Sequence, residues 1–178
     1  MNIENKSFYT TKTGGHETII LDILKKSNCK KFLELGLYKG TIITKAASFV
    51  KKCVGVDVVD LIPYKNFTFI KSTTDDFFKS NKEMFDVIFI DADHKFESSV
   101  KDLENSLKYL NYNGFIFIHD TDPINEKYTQ PGYCGDSFKI NKYIYDKHPE
   151  LDLMTLPLTE AGLSIVKRKM ENRFNLYK

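Results

Sequence analysis

An α/β fold, a doubly wound sheet of seven strands, mostly parallel with an antiparallel C-terminal strand, follows from three features of the sequence. Short apolar segments alternate with helical stripes from Lys30 to Gly114, and that alternation implies parallel strands joined by right-handed crossovers. Two of the segments, FDVIFIDADH (Phe85–His94) and GFIFIHDTD (Gly114–Asp122), are continuous apolar runs, the pattern of strands buried on both faces. Both runs then stop abruptly in acids and a histidine. In open parallel sheets ligands bind beyond the carboxyl ends of the strands. Asp91, Asp93, His94, His119, Asp120 and Asp122 are therefore expected to crowd one rim.

The elements follow in order. Residues 1–15 are polar and carry Gly14-Gly15, which reads as an N-terminal arm. His16 to Lys26 presents Ile19, Ile20, Ile23 and Leu24 on one helical face. Lys30 to Gly36 is a strand stopping at glycine, and Thr41 to Lys51 a helix opened after Gly40. Cys53 to Val59 and Asn66 to Lys71 are the second and third strands. Thr74 to Asn81 is a short helix with a threonine cap and acids in its first turn, where the helix dipole favours them. Phe85 to Asp91 is the fourth strand. Ser98 to Leu110 is a helix with Val100, Leu103, Leu107 and Leu110 on one face, and Asn113-Gly114 is expected to turn the chain into the fifth strand. Thr121 to Asp136 holds Pro123, Pro131, Gly132 and Gly135 without periodicity; a loop this long in a compact domain tends to be functional. Ser137 to Lys147 is a helix. Asp152 to Leu156 and Gly162 to Lys167 are the last two strands, and their short link permits an antiparallel pair. Residues 169–178 read as a tail. The whole is a single Rossmann-like domain over residues 1–178.

Composition narrows the function classes. A net charge of +2 is too small to argue for nucleic acid or an acidic membrane surface. Three scattered cysteines without metal spacing suit reduced thiols, hence a cytoplasmic setting. No apolar stretch reaches signal-peptide or transmembrane form.

The first strand ends in FLELGLYKGT. A dinucleotide fingerprint needs G-x-G-x-x-G; counted from Gly36, its second and third glycines fall on Tyr38 and Thr41. A phosphate-binding G-K-[ST] is absent as well. What stands is E-x-G-x-x-x-G from Glu34, Gly36 and Gly40, which permits either a tight turn or a close approach to a ligand that has no phosphate. Asp57 lies 21 residues beyond Gly36 at the end of the second strand, where an acid can accept hydrogen bonds from both hydroxyls of a ribose. This turn resembles the first motif of the class I S-adenosylmethionine-dependent methyltransferases. The resemblance makes S-adenosylmethionine the expected cofactor, with Glu34, Gly36, Gly40 and Asp57 holding it. It also places an adenine-contacting polar residue among Ser72, Thr73, Thr74 and Asp75, of which Asp75 is the choice; the same residues would equally serve as a helix cap.

The run FDVIFIDADHKFESSVKDLENSLKYLNYNGFIFIHDT is similar, more narrowly, to a branch of O-methyltransferases acting on sugars and other small-molecule hydroxyls. Its members carry I-D-x-D-H, an acid-containing helix, and a glycine-led strand ending in H-D-T or D-D-T. The likeness runs from about Lys30 to Arg168. Methyl transfer from a sulfonium to a hydroxyl needs alignment and removal of a proton. His94, three residues past Asp91, is the natural base, since histidine titrates near about 6.5; Asp93 or Asp120 would orient it, and an ordinary loop histidine is the bland alternative. Asp91 is expected either at the cofactor's methionyl end or, with His119 and Asp120, around a divalent metal (magnesium or manganese) that would lower the acceptor's pKa. His119 departs from the family's adjacent carboxylate or amide ligands and suits manganese better than magnesium, and Asp122 is a substitute one residue further on. Residues 121–136, with Tyr128 and Tyr133, would cover the rim as a substrate loop.

The expected function is an S-adenosylmethionine-dependent methyltransferase acting on a small-molecule hydroxyl, a sugar included, with neither nucleic acid nor membrane as partner and a homodimer allowed. Two rivals remain: a dinucleotide-dependent oxidoreductase, which Tyr38 opposes, and a non-catalytic S-adenosylmethionine-binding partner subunit.

Overall fold

The computed structural model describes residues 15–60, 66–158 and 161–169. The N-terminal arm, apart from Gly15, and the tail, apart from Lys169, lie outside the described residues. Seven strands form one sheet: β1 (Lys31–Leu35), β2 (Lys52–Asp57), β3 (Thr68–Lys71), β4 (Phe85–Ile90), β5 (Leu110–His119), β6 (Leu151–Leu156) and β7 (Leu163–Arg168). Their spatial order is β3-β2-β1-β4-β5-β7-β6. The first five pair in parallel, while β7 runs antiparallel to both of its neighbours. The chain thus moves outward one way from β1 and the other way from β4. That reversal opens a crevice at the carboxyl ends of β1 and β4, where an open sheet offers its ligand site.

Both faces of the sheet are covered, which is why the strands read as unbroken apolar runs. On β4, Ile88 and Ile90 pack with Phe77, Phe78, Leu103 and Ile144, from helices α3 (Thr74–Ser80), α4 (Phe96–Tyr109) and α5 (Ile140–Lys147). Val87 and Phe89 face the other way, onto Ile20, Leu24, Ile42 and Ile43 of α1 (Gly15–Lys26) and α2 (Thr41–Ala46). Among the described residues no helix is long and apolar enough to cross a membrane.

Two expected boundaries shift for identifiable reasons. Helix α2 ends at Ala46 rather than Lys51, because Phe49 and Val50 both turn back to donate to the Ala46 carbonyl, which returns buried Val50 to the core just before β2. Asn113-Gly114 does not make the turn into β5 but lies inside it: pairing with β4 jumps from Phe85–Leu110 to Val87–Phe115. The extra residues are held by Asp86, whose carboxylate accepts from the Asn111 amide (2.6 Å) and from the backbone N–H of Lys30 and Lys31 (2.8 and 2.9 Å). The 121–136 segment is not structureless either, since Glu126–Thr129 forms a 3-10 turn capped by Asn125.

A histidine outside the rim gives a stability test. His148, just beyond α5, sets each ring nitrogen 2.8 Å from a carboxylate, Glu150 on one side and Glu104 on the other. Burial lowers its pKa, but the two glutamates outweigh that and raise it above the ordinary value. A raised histidine pKa means that folding favours the protonated ring, so its stabilisation is complete below the unfolded value and is lost as pH climbs through the higher folded one. Urea unfolding of wild type and His148→Ala should therefore differ most near about pH 6 and converge toward about pH 9. A gap that widens with pH would contradict this pairing.

Candidate active site

The glycine turn is built around a contact that admits no side chain. Gly36 has φ +82°, and a Cβ there would lie 2.2 Å from the Asp91 carbonyl oxygen and 2.6 Å from Ala92 Cα. The ends of β1 and β4 thus touch backbone to backbone at the crevice. Gly40, also left-handed at φ +62°, opens α2. Between them Tyr38 takes φ +49°, an uncommon conformation for an aromatic residue, and is 74% exposed.

Asp57 ties this turn to β2: its Oδ2 accepts from Leu37 N and its Oδ1 from Val59 N, each at 2.8 Å. It lines a cleft of about 460 Å³ together with Gly36, Ser72, Thr73, Asp75, Ala92 and Asp93, a volume in the range of small-molecule sites. Thr73 caps α3, accepting from Asp76 N at 3.1 Å, so of the adenine candidates it has a structural task; Asp75 stays half-exposed, 3.9 Å from the Lys101 ammonium. Glu34 does not line the cleft. It is buried under the turn, bonded to the backbone of Ile43, with Oε2 unpartnered. Burial first, then the Asp91 charge, raise its pKa well above the ordinary carboxylate value.

Asp91, His94, His119 and Asp120 do come together. His119 Nδ1 lies 3.1 Å from Asp91 Oδ1 and 3.4 Å from Asp120 Oδ1. Burial pushes its pKa down, yet the two acids win and raise it to about 9. The donors that converge are one oxygen each of Asp91 and Asp120 and one nitrogen of His94, all within 4.8 Å of one another. The three groups that converge among the described residues thus include His94, where the expected ligand set was Asp91, His119 and Asp120. Asp120 is buried and left-handed at φ +60°, a conformation that aspartate tolerates better than most residues.

His94 is 41% exposed, with Nε2 3.9 Å from Asp91 Oδ1. Its Nδ1 meets the Tyr133 carbonyl in a short hydrogen bond. Asp120 Oδ2 is 3.1 Å from the same nitrogen but lacks hydrogen-bond alignment and has no other partner. A carbonyl only accepts, so Nδ1 carries a proton, and in the neutral ring Nε2 is the nitrogen with the lone pair. Asp93 turns away to Ser98 (2.9 Å) and Lys95 (3.4 Å), so of the two expected orienters only Asp120 is beside the ring.

Two residues near the site are not among those expected from the sequence. His16 of α1 lies tilted against His119 at 4.3 Å between ring centroids; burial, then the His119 charge, pushes it down to about 4, leaving it neutral. Nothing in a polar N-terminal helix start marks such a long-range partner. Asp102 of α4 lies in the cleft wall, pushed up to about 6 by burial and by Asp75 and Asp93, against a bond from Thr74. Its signal was present: Ser99, Asp102 and Ser106, all buried, recur at i, i+3 and i+7.

With this geometry in hand, comparison with known proteins is informative. A family model described as a methyltransferase domain matches residues 33–121. No curated protein sequence matches. Among solved structures, an O-methyltransferase from Bacillus cereus in complex with S-adenosylhomocysteine superposes with a TM-score of 0.69 at 14% identity, covering 89% of this chain and 82% of that one. The O-methyltransferase TomG from Streptomyces achromogenes, involved in tomaymycin synthesis and solved with S-adenosylmethionine, gives 0.64 at 9% identity over 89% and 81%. The N-methyltransferase NodS from Bradyrhizobium japonicum gives 0.60 at 15% identity over 85% and 92%. At these identities the likeness establishes the fold.

Proposed function

We propose that this chain, which belongs to the methyltransferase domain family, transfers a methyl group from S-adenosylmethionine to a hydroxyl of a small molecule, sugars among the acceptors. The observation that carries the reading is the continuity of cleft and rim. The cleft lined by Gly36, Asp57 and Asp75 shares its wall, at Ala92 and Asp93, with the segment that carries Asp91 and His94. A nucleoside held by Asp57 would place its sulfonium on the side of the cleft where this segment carries Asp91 and His94.

In this mechanism the acceptor oxygen attacks the methyl carbon in line with the carbon–sulfur bond, and that bond breaks to leave the neutral thioether. The acceptor's proton passes to His94 Nε2, and Asp91 and Asp120 stabilise the imidazolium that forms. Residues 121–136 border the rim through Tyr133 and supply aromatic surface for the acceptor. The three buried free cysteines fit a reducing compartment such as the cytoplasm.

A second version is favoured by the convergence of Asp91, His94 and Asp120. These three would hold a divalent cation such as manganese, which supplies Lewis-acid activation of the acceptor hydroxyl. His94 Nε2 has one lone pair, so base and ligand are exclusive roles. Titration calorimetry with S-adenosylmethionine and with NAD, followed by methyl transfer assays with and without chelator, tests both. Saturable binding of S-adenosylmethionine but not NAD is expected. Binding of NAD alone would overturn the function, binding without turnover on any acceptor would favour a non-catalytic subunit, and full activity in chelator would remove the metal.

A further inference from the structure

The 133–136 segment grips the residues around His94 at several points. Asp136 N donates to the His94 carbonyl (3.1 Å), and Asp136 Oδ1 accepts from Phe96 N (2.7 Å), so the segment itself caps α4. Gly135, at φ +56°, approaches so closely that a Cβ would lie 2.2 Å from the His94 carbonyl oxygen and 3.3 Å from its Cβ. Beneath, Ser137 Oγ bonds the carbonyls of both Cys134 (2.8 Å) and Asp120 (3.0 Å), and Cys134 N bonds Tyr128 O (2.9 Å). The Tyr133 peptide is thereby held on both sides, with its carbonyl against His94 Nδ1.

We infer that Tyr133, through its backbone carbonyl, and Gly135, by permitting that approach, are positioning residues that select which nitrogen of His94 receives the acceptor's proton. The inference rests on the reading of His94 as base. A neutral imidazole free in water prefers the proton on Nε2, which would cap the nitrogen that faces the rim. Only an acceptor in line with Nδ1 reverses that preference. Asp120 Oδ2 is near enough to compete for the role but is out of line. The carbonyl of a residue 39 positions away therefore does what a carboxylate does in many histidine pairs.

The test is the tautomer, read directly by long-range proton–nitrogen correlation of histidine in the full chain, at a pH above the His94 midpoint that the same spectra report. Wild type should show a protonated Nδ1 and an unprotonated Nε2 at His94. Gly135→Ala should shift that population toward Nε2–H and lower kcat about 10- to 100-fold, less than the roughly 10²–10⁴-fold that loss of a positioned base costs, with KM for S-adenosylmethionine unchanged. Gly132→Ala, equally left-handed but with nothing within 4 Å, should keep the wild-type tautomer, separating the approach from local backbone cost. If Gly135→Ala does not fold, Asp136→Ala decides alone through a smaller shift in the same direction. Protonated Nε2 in wild type, or an unchanged tautomer in the folded variants because Asp120 takes over, overturns the inference. A tautomer switch in a chain that transfers no methyl group counts against the function and leaves the positioning standing; methyl transfer with no switch does the reverse.

Discussion

Replacing His94 by alanine should lower kcat by about 10²–10⁴-fold while leaving the affinity for S-adenosylmethionine within a few-fold of wild type. The reason is a division of labour in the crevice. The proposed cofactor cleft is lined by Gly36, Asp57, Ser72 and Asp75, whereas His94 is not among its lining residues and stands beside Asp91. Its ring is 41% exposed, so its removal opens no buried cavity, and stability should change by no more than about 1 kcal/mol. A loss of rate thus reports chemistry and not folding. The variant also separates the two roles open to Nε2. As a base, His94 leaves a defect that metal does not repair. As a ligand, it leaves one that extra manganese partly reverses, since Asp91 and Asp120 still supply two oxygens. Turnover within about threefold of wild type in a folded His94→Ala protein would exclude both.

How far the sequence foretold this site depends on the range of each interaction. Asp57, Gly36 and Asp91 were legible because strand ends in a doubly wound sheet have a fixed place, and the alternation of elements reports that topology. The sheet order and the contact of Gly36 with the Asp91 carbonyl show that placement at adjoining strand ends. His94 was legible from its distance past the end of β4. That His94 rather than His119 converges with Asp91 and Asp120 was not, because it depends on which nitrogen points where beyond the ends of β4 and β5, where Asp120 takes a left-handed backbone. His16 and the Tyr133 carbonyl come from elements far away in the chain and join the rim only through packing. A backbone carbonyl carries no residue identity at all, so no motif could have marked it. The misread Asn113-Gly114 has the same origin: a strong local turn signal yielded to the Asp86 carboxylate, which satisfies the extra residues from another strand.

The largest structural effect is expected at Gly36. In Gly36→Ala the new methyl carbon would lie 2.2 Å from the Asp91 carbonyl oxygen and 2.6 Å from Ala92 Cα. Both are backbone atoms, so no rotamer can relieve the overlap, and β4 must shift against β1 where the two strands open the crevice. The left-handed φ of +82° adds about 1–2 kcal/mol for any residue with a Cβ, and forced overlap in a packed site about 1–3 kcal/mol more. Together these predict a loss of about 2–5 kcal/mol in urea unfolding. Gly40→Ala is the control. It is also left-handed, at φ +62°, but its nearest neighbour is an Ile43 side-chain carbon at 3.7 Å, so it should carry the conformational cost alone. The same displacement moves Ala92 and Asp93, which form part of the cleft wall. Gly36→Ala should therefore weaken S-adenosylmethionine binding by at least about tenfold relative to Gly40→Ala, a difference of about 1.4 kcal/mol. Calorimetry on the two variants at a temperature where both are folded makes the comparison. Equal affinities would mean that the crevice between β1 and β4 is not where the cofactor sits, and the function built on it would fall with it.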